Sequence, residues 1–373
     1  LPLAGLTALQ SLEYAGIKEN DKVLIHAGSG GVGSFAIQYA KAKGAYVYTT
    51  TSTSNVEWVM IFSLSSLVIS LAVLVWGADK FVESSSLVAK KLGLSELTIG
   101  LTIVALGTSA PEIFVGISSV LNGSEALAMG TVIGSNISNM ALIFGVSCIG
   151  ITFIPSKTSI VQFVPLIIGT VILGISLADL TITSNESWGF LFVFALFLFI
   201  TYKFRTPHQE IVEDIDDTKI GSTLAFLVIG LLALIGGSNF AVVHAEAIAL
   251  MLNVPELIIG LTIIAIGTSL PELAATISAI AKNKNDMVIG NVIGSNVMNI
   301  ALVVPIIGFF SNAKFDSTIL FRDYFVMAVV TVFFIIIAAT YSSKRIKINL
   351  IRLFGCIFVL GYLGYILSLS NLI

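Results

Sequence analysis

Two glutamates, Glu112 and Glu272, stand inside long apolar stretches of this 373-residue chain. Each closes the same motif, in ELTIGLTIVALGTSAPE (96–112) and in ELIIGLTIIAIGTSLPE (256–272). A charged side chain at the centre of a membrane costs about 2.5–3.5 kcal/mol, so it faces a partner, a cavity or an ion. Because the same acid recurs in the same motif, we interpret the pair as cation ligands rather than as two protonated structural groups.

A proline precedes each glutamate, at Pro111 and at Pro271. Proline removes a backbone donor and disturbs the carbonyl one turn earlier, so we expect helix breaks near Gly107 and Gly267. A cation can partner the carbonyls that such a break frees inside hydrocarbon. Ca²⁺ takes about 6–8 oxygen ligands, in which carboxylates, carbonyls and hydroxyls can mix. The hydroxyl groups beside the expected breaks are those of Thr108, Ser109, Thr268 and Ser269.

A second repeated motif adds further oxygens, in TVIGSNISNMAL (131–142) and in NVIGSNVMNIAL (291–302). Serine and asparagine four residues apart share one helix face and can direct oxygens into the same cavity. These pairs are Ser135 with Asn139 and Ser295 with Asn299. We expect the other two asparagines, Asn136 and Asn296, to bind backbone groups. We expect Gly134 and Gly294 to let helices approach closely. The alternative is that this motif is only a small-residue helix interface.

The composition indicates what must position these side chains. The chain is 56% hydrophobic and 11% charged, with a mean hydropathy of +0.99, whereas soluble globular proteins carry about 25% charged residues. With a net charge of −3, the chain lacks the excess of basic residues that is typical of nucleic-acid-binding proteins. A membrane span needs about 20 apolar residues. The sequence predicts ten such spans, at 60–78, 96–121, 126–150, 159–180, 187–204, 219–238, 256–281, 286–311, 322–340 and 350–371.

The motifs form an internal repeat, because every matched pair of residues is 160 positions apart. Five predicted spans separate equivalent positions, and an odd number turns the two halves in opposite directions across the membrane. Inverted repeats of this kind share a binding site near the bilayer midplane. We therefore predict an all-α polytopic membrane protein with two inverted five-helix repeats, at 60–204 and 219–373, joined by an acidic loop at 205–218.

Positive charge predicts the orientation, since cytoplasmic loops of membrane proteins carry an excess of Lys and Arg. In the ten-span layout one side holds only Lys314 and Arg322 in its loops. We expect the other side to be cytoplasmic, the protein to lie in the cell (inner) membrane, and both ends of the membrane domain to face outward. The cytoplasmic side holds Lys90, Lys91, Lys157, Lys203, Arg205, Lys219, Lys282, Lys284, Lys344, Arg345, Lys347 and Arg352.

Residues 1–59 carry a different pattern, DKVLIHAGSGGVGSFAIQYAKAKGAYVYTT (21–50), which predicts a strand, a glycine turn, a helix and a strand. Glycines in such a turn let backbone approach a pyrophosphate at the helix amino terminus. They are Gly28, Gly30, Gly31 and Gly33. The segment resembles a fragment of the quinone-oxidoreductase branch of the medium-chain dehydrogenases, which implies NADPH. A single Rossmann-like βαβ unit buries too little surface to fold alone, so we expect a non-functional remnant and a native start of the membrane domain at Met60.

Residues 60–373 resemble the calcium/cation antiporter superfamily, and in particular its prokaryotic sodium/calcium exchangers. The resemblance rests on both repeated motifs and their spacing. It implies that Glu112 and Glu272 bind Ca²⁺ and Na⁺. It also implies supporting oxygens from Thr108, Ser109, Thr268, Ser269, Ser135, Ser295, Asn139 and Asn299, and from the carbonyls of Ala105 and Ala265. Some relatives carry Asp where this chain has Asn299, which disfavours K⁺ coupling here.

The resulting expectation is a Ca²⁺/Na⁺ antiporter in the lipid bilayer that works by alternating access, is not an enzyme and needs no cofactor. Two alternatives stay open. A Ca²⁺/H⁺ antiporter fits the same residues, because protons compete with cations for carboxylates. An NADPH-dependent quinone oxidoreductase would require residues 1–59 to be functional.

Overall fold

The computed structural model describes residues 2–28, 30–50, 53–150, 158–204, 220–252, 265–311, 314–342 and 348–369. The chain divides into two compact units, Leu1–Ser66 and Leu67–Ile373. The predicted loop at 205–218 lies outside the described residues. The domain boundaries that we assigned from the sequence therefore stay predictions.

The first unit contains the predicted strand, glycine turn, helix and strand. Its elements are α1 (Pro2–Tyr14), β1 (Lys22–Ile25), α2 (Gly31–Ala42) and β2 (Tyr46–Thr49). The two strands are parallel, with Lys22 opposite Tyr46. A small core joins them to the helices, and it includes Ala8, Ile25 and Ala40. Leu24, Tyr46 and Tyr48 remain exposed, as expected of a sheet that ends after two strands.

Nine helices among the described residues are long and apolar enough to cross a membrane, and the first of them, Val59–Lys91, begins in the first unit. The membrane-spanning part of the protein is therefore all-α and multi-pass, as predicted. A shorter apolar helix, Leu270–Ala281, is the described part of the predicted span at 256–281, so the count of ten and the inverted arrangement stay predictions. The helices are α3 (Thr53–Lys91), α4 (Glu96–Leu121), α5 (Glu125–Gly150), α6 (Ile160–Asp179), α7 (Ser184–Lys203), α8 (Ile220–Met251), α9 (Leu270–Ala281), α10 (Asn285–Phe310), α11 (Ile319–Thr340) and α12 (Ile348–Leu369).

The predicted ends of two spans were wrong. The span at 60–78 continues as helix to Lys91, and the span at 219–238 continues to Met251. In α3 the added turns carry charges that find a partner, because Lys282 lies 2.8 Å from Asp79 and 3.7 Å from Glu83. Because Lys282 neutralises Asp79 and Glu83, α3 can continue past these two acids.

Local sequence signals account for other helix ends. Gly93 and Gly123 follow α3 and α4 with positive φ angles of 64° and 72°, the conformation that ends many helices. Ser95 caps α4 by accepting a hydrogen bond from the Thr98 amide at 3.3 Å. These short turns fix α3, α4 and α5 as consecutive neighbours.

Apolar side chains occupy both the interior and the outer surface of the second unit. Phe144 packs edge-on against Phe334 at 4.8 Å between ring centroids and against Phe358 at 6.1 Å. Outward-facing aromatics such as Phe192 and Phe333 are exposed. A soluble protein rarely exposes apolar surface on this scale, so lipid chains are the natural cover for these helices.

Candidate ion-binding site

The two predicted carboxylates lie at the centre of the helix bundle. Glu112 on α4 is 2% exposed, and Glu272 on α9 is 1% exposed. Among the described residues, neither oxygen of Glu112 has a hydrogen-bond partner, and Oε2 of Glu272 has none. Two buried acids with free oxygens need positive charge nearby, as a cation or as bound protons.

Glu272 receives one hydrogen bond from the opposite repeat. The hydroxyl of Ser109 donates to its Oε1 at 3.0 Å. The repeat-equivalent bond would join Ser269 to Glu112, but Ser269 Oγ is buried without a partner among the described residues. The two predicted serines therefore lie beside the carboxylates in different hydrogen-bonding states.

The predicted helix breaks differ between the repeats. In the first, the expectation was wrong, because the helix continues through Pro111 from Ala105 to Leu121. The distortion lies earlier, in a widened π-helical segment at Gly100–Val104, and such segments occur often at functional sites. Ala105 is the first residue of the α-helix that follows this segment, and it is fully buried.

The second repeat does break near its proline. A short helix, Ala265–Gly267, ends before α9 begins at Leu270. The freed carbonyl of Gly267 accepts a hydrogen bond from Ser238 of α8 at 3.1 Å. The hydroxyl of Ser238 is therefore one partner of this carbonyl. Ala265 lies at the start of the short helix, and Thr268 is exposed.

The asparagines of the second motif lie where α5 and α10 widen. Asn139 falls in the π-helical segment Ser138–Ile143, and Asn299 opens the segment Asn299–Val303. The amide nitrogen of Asn299 donates to Ser135 Oγ at 3.1 Å, and its Oδ1 has no partner among the described residues. Neither amide atom of Asn139 has one. Both side chains thus keep a buried oxygen available.

The other two asparagines of this motif bind backbone, as predicted. Asn136 donates to the carbonyl of Asn296 at 3.4 Å, and Asn296 donates to the carbonyl of Val292 at 2.8 Å. These bonds join α5 to α10 and tie Asn296 to its own helix. The pair is therefore structural in this conformation.

The glycine expectation is right for one repeat and wrong for the other. A methyl group added at Gly294 would lie 2.5 Å from the carbonyl oxygen of Leu101, so α10 and α4 pack backbone to backbone there. Among the described residues, a methyl group added at Gly134 would meet nothing within 4 Å. Gly134 instead lines a cavity of about 390 Å³.

This cavity reaches two predicted ligands, Ser135 and Thr268. Its wall also contains Asp323, which accepts hydrogen bonds from Arg322 Nε at 2.7 Å and from the Tyr365 hydroxyl at 2.9 Å. The cavity therefore connects a charged cluster at the start of α11 with polar groups beside the glutamates.

Sequence reasoning missed two buried polar residues. Asn291 Oδ1 accepts a hydrogen bond from Ser295 at 3.4 Å and shares the Thr108 hydroxyl, at 3.3 Å, with the Val104 carbonyl, which lies at 3.1 Å. Thr276 lies four residues after Glu272, is 1% exposed, and its hydroxyl has no partner among the described residues. The four-residue spacing to Ser295 and to Glu272 was the signal that could have found both.

The glycine turn of the first unit is filled by protein atoms. A side chain at Gly28 would collide with the Thr49 hydroxyl, and one at Gly33 would collide with the carbonyl of Ala27. Gly30 caps α2 and Gly31 is its first residue. Close strand–helix packing accounts for Gly28 and Gly33, which is one established use of glycine in such turns.

The second unit joins apolar spanning helices to a buried cluster of acids, hydroxyls and amides. Ionisable groups at this depth are typical of ion pathways. Fold and site together define the class of membrane ion transporters.

Comparisons with known proteins give the family. The sequence model of the family described as sodium/calcium exchanger protein matches residues 62–203 and 222–370. The chain is 32% identical to inner membrane protein YrbG of Escherichia coli (strain K12), over 76% of this chain and 91% of that protein. A solved structure of the sodium-calcium exchanger NCX_Mj matches with a TM-score of 0.69 and 28% identity, over 83% of this chain and 99% of the other.

The chain therefore belongs to the sodium/calcium exchanger protein family. Members of this family are secondary transporters and not enzymes. The predicted superfamily is confirmed.

The first unit has a separate likeness. It is 46% identical over 65 residues to a chloroplast envelope quinone oxidoreductase homolog of Arabidopsis thaliana. The match covers 16% of this chain and 20% of that protein. The predicted resemblance to a fragment of a quinone oxidoreductase is thus confirmed, and the fragment corresponds to a fifth of that relative.

Proposed function

We propose that this protein exchanges Ca²⁺ for Na⁺ across the cell membrane, with the ions held between Glu112 and Glu272. One observation carries the proposal: three of the four oxygens of these buried carboxylates have no partner among the described residues. Leaving such charges unpaired inside hydrocarbon costs several kcal/mol. A bound divalent cation compensates both charges at once.

The surrounding groups supply the neutral part of a hard-cation site. Oδ1 atoms of Asn139 and Asn299 and the hydroxyl of Ser269 are buried without partners among the described residues. Oxygen ligands of this kind suit Ca²⁺ and Na⁺. The remaining proposed ligands are Thr108, Ser109, Ser135, Thr268, Ser295 and the carbonyls of Ala105 and Ala265.

The cavity supports an alternating-access interpretation. It is lined by Leu127 near the start of α5 and by Asp323 near the start of α11, which are the ends that the Lys and Arg distribution places outside. We therefore propose that this conformation faces outward, and that the ends of the membrane domain are outside as well. An inverted repeat would then open the opposite side by exchanging the conformations of the two halves.

Flux in proteoliposomes tests the function. We expect an outward Na⁺ gradient to drive uptake of radiolabelled Ca²⁺ into vesicles that contain the purified protein. The matched control is a Glu112→Gln/Glu272→Gln double variant, which should be inactive. Uptake driven only by a pH gradient would identify a Ca²⁺/H⁺ antiporter, and no uptake with either gradient would contradict the transport proposal.

Residues 1–59 have no assigned step in this exchange. Gly28 and Gly33 pack against protein atoms, and the likeness to a quinone oxidoreductase covers only a fifth of that protein. We propose that this segment is a passenger, and that exchange requires neither NADPH nor any other cofactor.

A further inference from the structure

We propose that the turn between α9 and α10 forms an ionic lock that stabilises the closed state of one side of the ion site. The lock consists of two lysines at the ends of this turn and three acids on α3 and α4: Lys282, Lys284, Asp79, Glu83 and Glu96. The inference rests on the proposed function, because it concerns access to the same site, but its test does not require transport.

Each lysine of the turn reaches a different neighbouring helix. The ammonium of Lys282 lies 2.8 Å from Asp79 and 3.7 Å from Glu83, and both acids belong to α3. The ammonium of Lys284 lies 3.6 Å from Glu96, the first residue of α4. The ion pairs therefore join the ends of the two helices that flank the turn to both α3 and α4.

The two parts of the lock differ in their exposure to solvent. Lys284 and Glu96 are the more sheltered pair, with 17% and 24% of their side chains exposed, whereas Asp79 is 45% exposed. Glu83 is shared, because Lys80 of its own helix lies 3.1 Å away. Asp79 is thus the main partner of Lys282, and each pair contributes in the modest range of partly exposed ion pairs.

Apolar side chains fill the space between the lock and Glu272. Ala275 and Ala279 follow Glu272 on one face of α9, and they are 1% and 2% exposed. They belong to one buried cluster with Phe81 of α3 and Met287 of α10. A path from Glu272 to the turn requires these helices to separate, and their separation would pull the lysines of the turn away from their acids.

The repeat-equivalent turn between α4 and α5 has the same backbone conformation. Asn283 and its counterpart Gly123 both have positive φ angles, of 58° and 72°. The amide of Lys284 donates to the carbonyl of Ala279 at 2.8 Å, and the matching bond of the other turn has the same length. The two repeats therefore build the same turn, and any difference between the turns lies in their side chains.

Those side chains differ in charge. Four residues of the lock have uncharged counterparts 160 positions away: Lys282, Lys284, Asp79 and Glu83 correspond to Asn122, Ser124, Asn239 and Val243. The glutamate at 96 recurs as Glu256, but the counterpart of its lysine is Ser124. Uncharged residues cannot form ion pairs, so the same lock cannot form at the opposite turn. The lock therefore shifts the equilibrium toward conformations in which the side of the α9–α10 turn is closed.

A cysteine beneath the lock reports opening of this side. Ala279 is 2% exposed, so maleimide reaches Ala279→Cys only when the surrounding helices separate. The substitution is made in a protein that lacks Cys148 and Cys356, and labelling is measured in detergent with choline chloride as the salt. Ala338→Cys, at a fully buried position of α11, reports general loosening of the bundle.

Removal of the lysines should accelerate labelling at position 279. Lys282→Gln and Lys284→Gln should each raise the rate of Ala279→Cys about threefold, and the two together about tenfold, as expected for partly exposed ion pairs. Ala338→Cys should react at an unchanged rate. Lys203→Gln is the matched control, because it removes a lysine whose ammonium lies over the Phe199 ring of its own helix, at 5.4 Å from the ring centroid.

An exchange of charges separates the ion pair from other effects of the substitutions. Lys282→Asp alone places three acids together and should raise the rate of Ala279→Cys further than Lys282→Gln does. The exchanged variant, Lys282→Asp with Asp79→Lys, restores opposite charges at the same two positions and should return the rate toward that of the unaltered protein.

The outcomes distinguish this inference from the proposed function. An unchanged rate at Ala279→Cys without both lysines, or an equal acceleration at Ala338→Cys, would overturn the lock, whether or not Ca²⁺ is transported. The single lysine variants decide the matter if the double variant does not fold. A selective acceleration in a protein without Ca²⁺ flux would support the lock and contradict only the proposed exchange of ions.

Discussion

The two repeats of the membrane unit carry the same motif residues in different contacts. In one direction Ser109 reaches across to Glu272, whereas Ser269 and Glu112 make no equivalent bond among the described residues. Asn299 donates to Ser135, whereas Asn139 has no such partner. A repeat in sequence thus determines which residues face one another, while the conformation determines which of those contacts form at a given time.

This asymmetry has a functional interpretation. If both halves adopted the same contacts, the site would be equally open or equally closed on its two sides. The alternating access that we propose requires the two sides of the site to differ at each step. The comparison of equivalent residues can therefore be tested by changing one member of a pair at a time.

The largest expected effect comes from the glutamates, whose roles should be equal although their surroundings differ. Glu112→Gln and Glu272→Gln should each lower Na⁺-driven Ca²⁺ uptake at least about a hundredfold, because removing one charged partner of a buried ion costs about 3 kcal/mol or more. Glu125→Gln, on the surface at the start of α5, is the control. Wild-type flux in either variant would show that its carboxylate is structural.

A smaller effect is expected when charge is added at the asparagines. Asn299→Asp should raise the cation affinity of the site about tenfold, because a third carboxylate joins it. The ion selectivity of uptake should change as well, and this includes its response to K⁺. Asn139→Asp is the matched variant in the other half, where no hydrogen bond is lost. Ion competition during Ca²⁺ uptake measures both, and an unchanged ion dependence in Asn299→Asp would place this residue outside the site.

The paired serines sharpen the comparison through stability. Ser109→Ala removes the donor to Glu272 and should lower the free energy of unfolding by about 0.5–1.5 kcal/mol, the range for a hydrogen bond between neutral groups, because without a cation the buried acid binds a proton. Ser269→Ala removes a hydroxyl without a partner among the described residues and should leave stability nearly unchanged. Thermal unfolding in detergent without Ca²⁺ compares the two, and equal losses would contradict the asymmetry.

The smallest effect is expected from the first unit. A chain that starts at Met60 should insert and transport like the full chain, because the ion site lies wholly in the second unit. The full chain should also show no NADPH binding by fluorescence titration. Loss of Ca²⁺ uptake on removal of residues 1–59 would show that the segment is not a passenger.

Much of the fold followed from the sequence because hydrocarbon imposes strict rules on it. Apolar length predicted the spans, and the repeated Gly-Thr-Ser-x-Pro-Glu motif predicted that Glu112 and Glu272 would be buried together. The local geometry of the helices did not follow from the motif. Proline at 111 did not break its helix, and the distortion of this repeat lies about two turns earlier, at Gly100–Val104.

The sequence repeat did not predict which motif residues would line a cavity and which would pack against backbone. Gly134 and Gly294 stand in the same motif, yet one lines a cavity and the other packs against backbone. Asn291 was missed because its counterpart is a threonine, so the search for shared residues passed over it. Positions at which the two repeats carry different residues, rather than positions at which they match, indicate where their contacts differ.

Equilibrium binding of Ca²⁺ to the purified protein tests the central proposal most directly. Titration calorimetry in Na⁺-free detergent should show Ca²⁺ binding to the wild-type protein, and Na⁺ should displace it. Glu112→Gln and Glu272→Gln should each weaken binding about a hundredfold or more, although among the described residues only Glu272 has a side-chain hydrogen-bond donor. Wild-type affinity in either variant would contradict a site shared between the two repeats.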